Sequence, residues 1–164
     1  MTKQNFDIII CGGGIVGLTI AYQLISNKIT NNIAIIDKES KLGAHSSGRN
    51  SGVLHAGIYY KNKSLKAKLC VNGAKRLKNW IQERNLPINK CGKVIVPQRE
   101  DLDKQLDLLA ERGINNGATV EFWDEKQLRE HMPEARTASN RALWSPNTYV
   151  VKPLTVLRKL SINS

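Results

Sequence analysis

Six residues near the start of the chain, Gly12-Gly13-Gly14-Ile15-Val16-Gly17, set glycines at 12, 14 and 17, and an acid, Asp37, follows twenty residues after the last. The chemistry that calls for this spacing is the gripping of a pyrophosphate and a ribose. The first glycine allows a tight turn, the second lets backbone approach the phosphates, and the third lets a helix pack on a strand. A carboxylate twenty residues on accepts a hydrogen bond from a ribose hydroxyl. Ile15 and Val16 open the helix, whose N-terminal N–H groups and dipole would face the phosphates. Lys38, next to Asp37 in sequence, is counted with these cofactor-binding residues.

The elements needed to hold such a turn are all present and in order. Residues 6–11 are a short apolar run, of the kind that forms a parallel strand buried on both faces, with Cys11 as a small core residue. Residues 15–27 carry Val16, Ile20 and Leu24, and Leu18, Tyr22 and Ile25, at helical spacing. Residues 33–36 form a second buried strand that ends at Asp37. A glycine pattern alone would be no more than an ordinary strand-to-helix turn. Strand, glycines, helix, strand and acid together indicate a dinucleotide site.

After the second strand the chain does not turn at once into another helix, as nicotinamide enzymes of this architecture usually do. Residues 38–60 (KESKLGAHSSGRNSGVLHAGIYY) are a long, polar, glycine-rich passage. A connection of that length is usually functional or disordered. The apolar Val53-Leu54 and Ile58-Tyr59-Tyr60 argue against disorder, and the small residues between 43 and 57 would let backbone lie against a flat ligand. Ser46 and Ser47 could donate to phosphate oxygens, and Arg49 could neutralise one.

The GGGIVG turn, SSGRNSGVLHAGIYY and SLKAKLCVNGA strongly resemble the FAD-dependent L-2-hydroxyglutarate oxidase/dehydrogenase family, within the wider D-amino-acid oxidase-like flavoproteins. GKVIVP and ALWSPNTYVVKP are similar to that family's substrate-domain strand and its return toward the FAD domain. The resemblance implies FAD as the cofactor, with Gly12, Gly14 and Gly17 at the pyrophosphate and Asp37, often Glu in the family, at the adenosine ribose. Ser46, Ser47 and Asn50-Ser51-Gly52 would line the path to the isoalloxazine. His55, in HAGIYY, matches a family histidine near the flavin face. It is either a base for the substrate hydroxyl or an electrostatic aid as hydride leaves the α-carbon, or else a residue hydrogen-bonded to FAD or backbone that shapes the pocket.

The implied reaction is oxidation of L-2-hydroxyglutarate to 2-oxoglutarate by hydride transfer to flavin, with a quinone or oxygen as electron acceptor. Alternatives within the group are an amino acid, sarcosine or glycerol 3-phosphate as substrate. An inactive remnant, or a split enzyme whose separate chain supplies the missing half, stands against both. Family members extend well beyond residue 164, so the expected fold is α/β and truncated. It comprises the N-terminal part of a Rossmann-like FAD-binding domain (1–90), part of a mixed α+β substrate domain (91–150) and the start of a return helix (151–164). Turnover by these residues alone is not expected. Tyr149 and Lys152 stand where the family tends to have Gly and Asp.

Beyond the loop, residues 64–85 read as a long amphipathic helix with Ser64 as N-cap, 93–96 as a strand and 99–115 as a second helix. Residues 119–123 are a short strand, 125–131 a short helix, 136–141 a polar turn, 142–145 a strand and 153–160 a helix. Lys+Arg 25 against Asp+Glu 14 gives a net charge of +11. The basic residues are dispersed, which argues against nucleic acid and suits solvated helix faces, or a field that attracts an anionic cofactor, an acidic substrate or anionic lipid. The three cysteines form no metal-ligand pattern, and no metal is expected. No signal peptide is expected before the first strand, and no apolar run in these residues is long enough to span a bilayer. The expected setting is cytoplasmic, or peripheral at the inner membrane. His45 and His131 match no motif.

Overall fold

The computed structural model describes residues 4–162. Its first strand, β1 (Ile8–Cys11), leads through the glycine turn into helix α1 (Ile15–Ser26), and the chain returns as β2 (Ile33–Ile36). β1 and β2 pair in parallel, from Ile8↔Ile33 to Cys11↔Ile36. Helix α5 (Pro153–Ile162) packs on α1. Together they form one of two units, Met1–Gly52 with Val151–Ser164. Its interior is Ile10, Leu18 and Ala21 with Val156, Leu157 and Leu160 of α5. Met1–Lys3 and residues 163–164 lie outside the described residues, as do the last positions of the expected return helix.

One expectation fails here. β1 and β2 are not buried on both faces: Ile9 is 59% exposed, Ile36 53% exposed, and Cys11 is exposed rather than a core residue. Alternate strand residues point to opposite faces. α1 packs against these strands and buries Ile10, while its neighbours Ile9 and Cys11 remain open to solvent.

The other unit, Val53–Val150, holds two three-stranded sheets and three helices. In the first sheet β3 (Val53–Leu54) and β4 (Ile88–Asn89) flank β8 (Tyr149–Val151), which pairs with β3 through Val53↔Val150 and Leu54↔Tyr149. In the second, β7 (Arg141–Ser145) runs antiparallel between β5 (Lys93–Ile95) and β6 (Glu121–Asp124). Helix α2 (Leu65–Glu83) begins at Ser64, whose side chain accepts the Ala67 N–H at 3.2 Å, as the sequence requires. A 3-10 turn (Glu100–Leu102) precedes α3 (Asp103–Asn115). Asp124 caps α4 (Glu125–His131) in a reciprocal box with Gln127. Ile58, Leu106, Ala110 and Leu143 form one core cluster, and Trp123, Leu128 and Ala142 form another.

Arg141, read as the end of a polar turn, instead opens β7 and holds Asp103 and Asp107 of α3, each at 2.6 Å. β3, β4 and β8 escaped the sequence reading. Strands of two or three residues show too little alternation to stand out, and pairing alone defines them. The expected segment 1–90 straddles both units, because residues 53–90 group with 91–150.

Candidate functional site

The glycine turn is built as its spacing requires. Gly12 sits at φ +115°, and its N–H reaches the Ile36 carbonyl at 2.7 Å, tying the turn to the end of β2. A Cβ on Gly17 would lie 2.0 Å from the Gly12 carbonyl oxygen, so only glycine lets α1 pass this close to the turn. Gly14 is the N-cap of α1 and has no side chain to offer its first N–H groups. One neighbour satisfies part of that need, and another holds the turn just before it. The Ser47 hydroxyl accepts the Ile15 N–H at 3.1 Å, and the Asp37 carboxylate accepts the Gly13 N–H at 2.6 Å.

Asp37 also accepts the Glu39 N–H at 2.8 Å. The N–H groups of Glu39 and Gly13 hold its carboxyl below the ordinary value, although the side chain is open to solvent. Cys11, Gly12, Ile36, Asp37, Lys38 and His45 line an open depression of about 490 Å³ here. His45, which matched no motif, thus stands at the site, its ring 3.0 Å from the Glu39 carboxylate. Only the fold of the loop could bring it there.

The remaining candidates divide by what they touch. Ile15 and Val16 are exposed at the start of α1, and Ser46, Ser51 and Lys38 are exposed along the loop. Asn50 serves the loop itself: its amide donates to the Ser46 and Ser47 carbonyls at 2.9 and 3.0 Å, and its oxygen accepts the Gly52 N–H at 2.9 Å. Gly52, at φ +67°, accepts the Val151 N–H at 2.9 Å. The structure therefore gathers Gly12, Gly13, Gly14, Ile15, Asp37 and Ser47 at the turn, while Asn50 and Gly52 shape the loop that carries Ser47. The cradle fits a dinucleotide. Its helix terminus has no N-cap side chain of its own, a Cβ on Gly14 would lie 3.0 Å from the Ser47 oxygen, and a carboxylate waits at the strand end.

His55 belongs to the other unit. It follows β3 and is half-buried, and burial, then the charge of Lys93, pushes its pKa down. The ring meets Tyr59 edge-on, centroids 6.5 Å apart, and the Lys93 ammonium lies 4.3 Å from the Tyr59 ring centroid. Two bonds from the Asn116 amide, to the Gly57 and Tyr60 carbonyls at 2.9 Å each, pin this segment, and the Cys70 thiol donates to the His55 carbonyl at 3.5 Å. A neutral imidazole of this kind can accept a proton near pH 7. Tyr59 and Lys93 were not singled out from sequence. They lie 4 and 38 residues from His55, and since β3 and β5 belong to different sheets, only side-chain packing on the Tyr59 ring brings Lys93 near it.

Comparison with known proteins identifies the class. A family model described as FAD dependent oxidoreductase matches residues 7–162, so the chain belongs to that family. Within it, the chain is similar to proteins described as "L-2-hydroxyglutarate dehydrogenase, mitochondrial". It is 48% identical to that of Pongo abelii over 151 residues, covering 92% of this chain and 36% of the relative. It is 42% identical to that of Caenorhabditis briggsae over 148 residues, covering 90% of this chain and 34% of the relative. The chain thus spans about a third of the length of these relatives. Among solved structures, L-alpha-glycerophosphate oxidase from Mycoplasma pneumoniae with FAD bound superposes with TM-score 0.82 at 25% identity, over 95% of this chain and 41% of that one. Glycine oxidase from Geobacillus kaustophilus shares the fold, with TM-score 0.82 at 20% identity over 98% and 44% of the two chains.

Proposed function

We propose that this chain is the nucleotide-gripping portion of an FAD-dependent enzyme that oxidises L-2-hydroxyglutarate to 2-oxoglutarate. The observation that carries the reading is the cradle of Gly12, Gly14 and Gly17 with Asp37 at the end of β2, in a chain 48% identical to one such dehydrogenase. Gly12–Gly14 and the first turn of α1 would hold the pyrophosphate, with Gly13, Ile15 and Val16 lining it and Lys38 adding charge. Asp37 would accept from the adenosine ribose. Ser47 would exchange its bond to the Ile15 N–H for one donated to a phosphate oxygen. Ser46 and the Asn50–Gly52 turn would guide the flavin end. FAD, when bound, supplies the hydride acceptor. His55 would take the proton of the substrate hydroxyl.

Reoxidation by a quinone or oxygen, and a separate chain that completes the flavin cradle, belong to the same proposal. Free Cys11, Cys70 and Cys91 support a reducing compartment. Among the described residues no helix is long and apolar enough to cross a membrane. A second reading, the same fold acting on glycerol 3-phosphate, is favoured by the match to L-alpha-glycerophosphate oxidase.

The test is the visible spectrum of the purified chain after FAD is added and unbound flavin removed. Retained flavin bands are expected. Bleaching by L-2-hydroxyglutarate without oxygen is expected once a polypeptide covering the remainder of the relatives is supplied. A colourless chain would overturn FAD binding by these residues, and bleaching by glycerol 3-phosphate instead would favour the second reading.

A further inference from the structure

We propose that His55, Tyr59 and Lys93 form a carboxylate-binding site, in which Lys93 supplies the charge that recognises an anionic substrate. This rests on the 2-hydroxy-acid reading above and names residues for it. Two side chains converge on the Tyr59 ring: the Lys93 ammonium at 4.3 Å from its centroid and the His55 ring edge-on at 6.5 Å. Among the described residues none of the three has a hydrogen-bonding or ionic side-chain partner, so the ammonium, the phenol and the imidazole keep their donors unspent.

The surrounding charge is lopsided. From Ser40 to Gln82 the chain carries nine Lys and Arg and no Asp or Glu. The segment that carries His55 and Tyr59 therefore offers no carboxylate of its own, and an external one is the natural complement. Elsewhere in the same unit the chain does pair its cations, as Arg141 does with Asp103 and Asp107. A lysine stacked on an exposed tyrosine gains about 0.5–1 kcal/mol, which could keep Lys93 in place as a purely structural residue. That role leaves the half-buried, unpaired His55 beside it unexplained. The positive charge disfavours protonation of His55, and a bound carboxylate would reverse that bias.

The site is also held in advance of any ligand. Asn116 clamps the turn that carries Tyr59 from both sides. Lys93 follows Gly92, which sits at φ +67° where a Cβ would strike the Trp144 ring at 1.9 Å, so the start of β5 has little freedom. Lys93 then pairs in register with Ser145, which is fully buried. Preorganised donors lose less entropy on binding.

The experiment is an NMR titration of the full chain with glutarate, read at the His55 and Tyr59 ring resonances. A saturable shift is expected at both rings. K93M should weaken it at least about tenfold, as loss of a charge-assisted hydrogen bond does, and K93R should stay within about threefold of the parent. No saturable shift in the parent chain, or K93M titrating like it, would overturn the proposal. Should K93M not fold, acylation of lysines in the parent chain decides by mass spectrometry. Glutarate should shield Lys93, and equal labelling with and without it would overturn the site. Flavin retention is read separately. A chain that holds no flavin yet binds glutarate through Lys93 keeps this inference and overturns FAD binding; a yellow chain indifferent to glutarate does the reverse.

Discussion

Asp37 shows how much a single side chain can be asked to do. It follows β2, accepts the N–H groups of Gly13 and Glu39, and presents its carboxylate beside the glycine turn that leads into α1. D37N keeps the size but turns an acceptor-only group into one that also donates, against two N–H partners. We expect FAD affinity to fall about tenfold, measured by flavin fluorescence titration. Because the carboxyl lies below its ordinary 3.8, the stability it contributes is complete above that value and is lost only as pH falls through the lowered folded value. His55 titrates in the opposite chemical sense with the same direction in pH. Its depressed folded pKa means the unfolded chain takes up the proton first as pH drops below about 6.5, so stability declines with acid from there. H55N should flatten that part of the pH–stability curve, and an unchanged curve would show that burial of His55 carries no such linkage.

Elements set these side chains in place through their ends. α2 begins at Ser64, whose hydroxyl satisfies the Ala67 N–H, and one turn later Cys70 reaches the His55 carbonyl. S64A should cost about 1 kcal/mol in urea unfolding, the usual loss for an N-cap, and should broaden the His55 resonance as the first turn frays. A resonance left sharp would mean that Asn116 alone fixes the segment. The helices and the glycine turn could be foreseen because their signals are local. Gly12, Gly14 and Gly17 follow one another within a single strand-to-helix turn, and the stripe of α2 repeats at helical spacing. β3, β4 and β8 could not, since each exists by pairing with residues up to 97 positions away.

At the scale of whole units, the sheet of β1 and β2 is open on the face that carries Ile9 and Ile36. Exposed apolar area of this kind marks an interaction surface or an aggregation liability. The paired substitution I9T/I36T keeps β-branched residues in the strands while reducing that surface. We expect less binding of a hydrophobic dye and a higher solubility limit, with the circular dichroism spectrum unchanged; equal dye binding would place the sticky surface elsewhere. The α/β class and the glycine–acid turn could be read from residue order alone, because each rests on spacing along a few dozen residues, and the family followed from the resemblance of motifs spread from Gly12 to Pro153. Only tertiary structure decided that one face of β1 stays exposed, that His45 stands at the mouth of the turn, and that Lys93 meets Tyr59 beside His55. Those facts depend on which distant segments pack or pair, and periodicity carries no record of the partner.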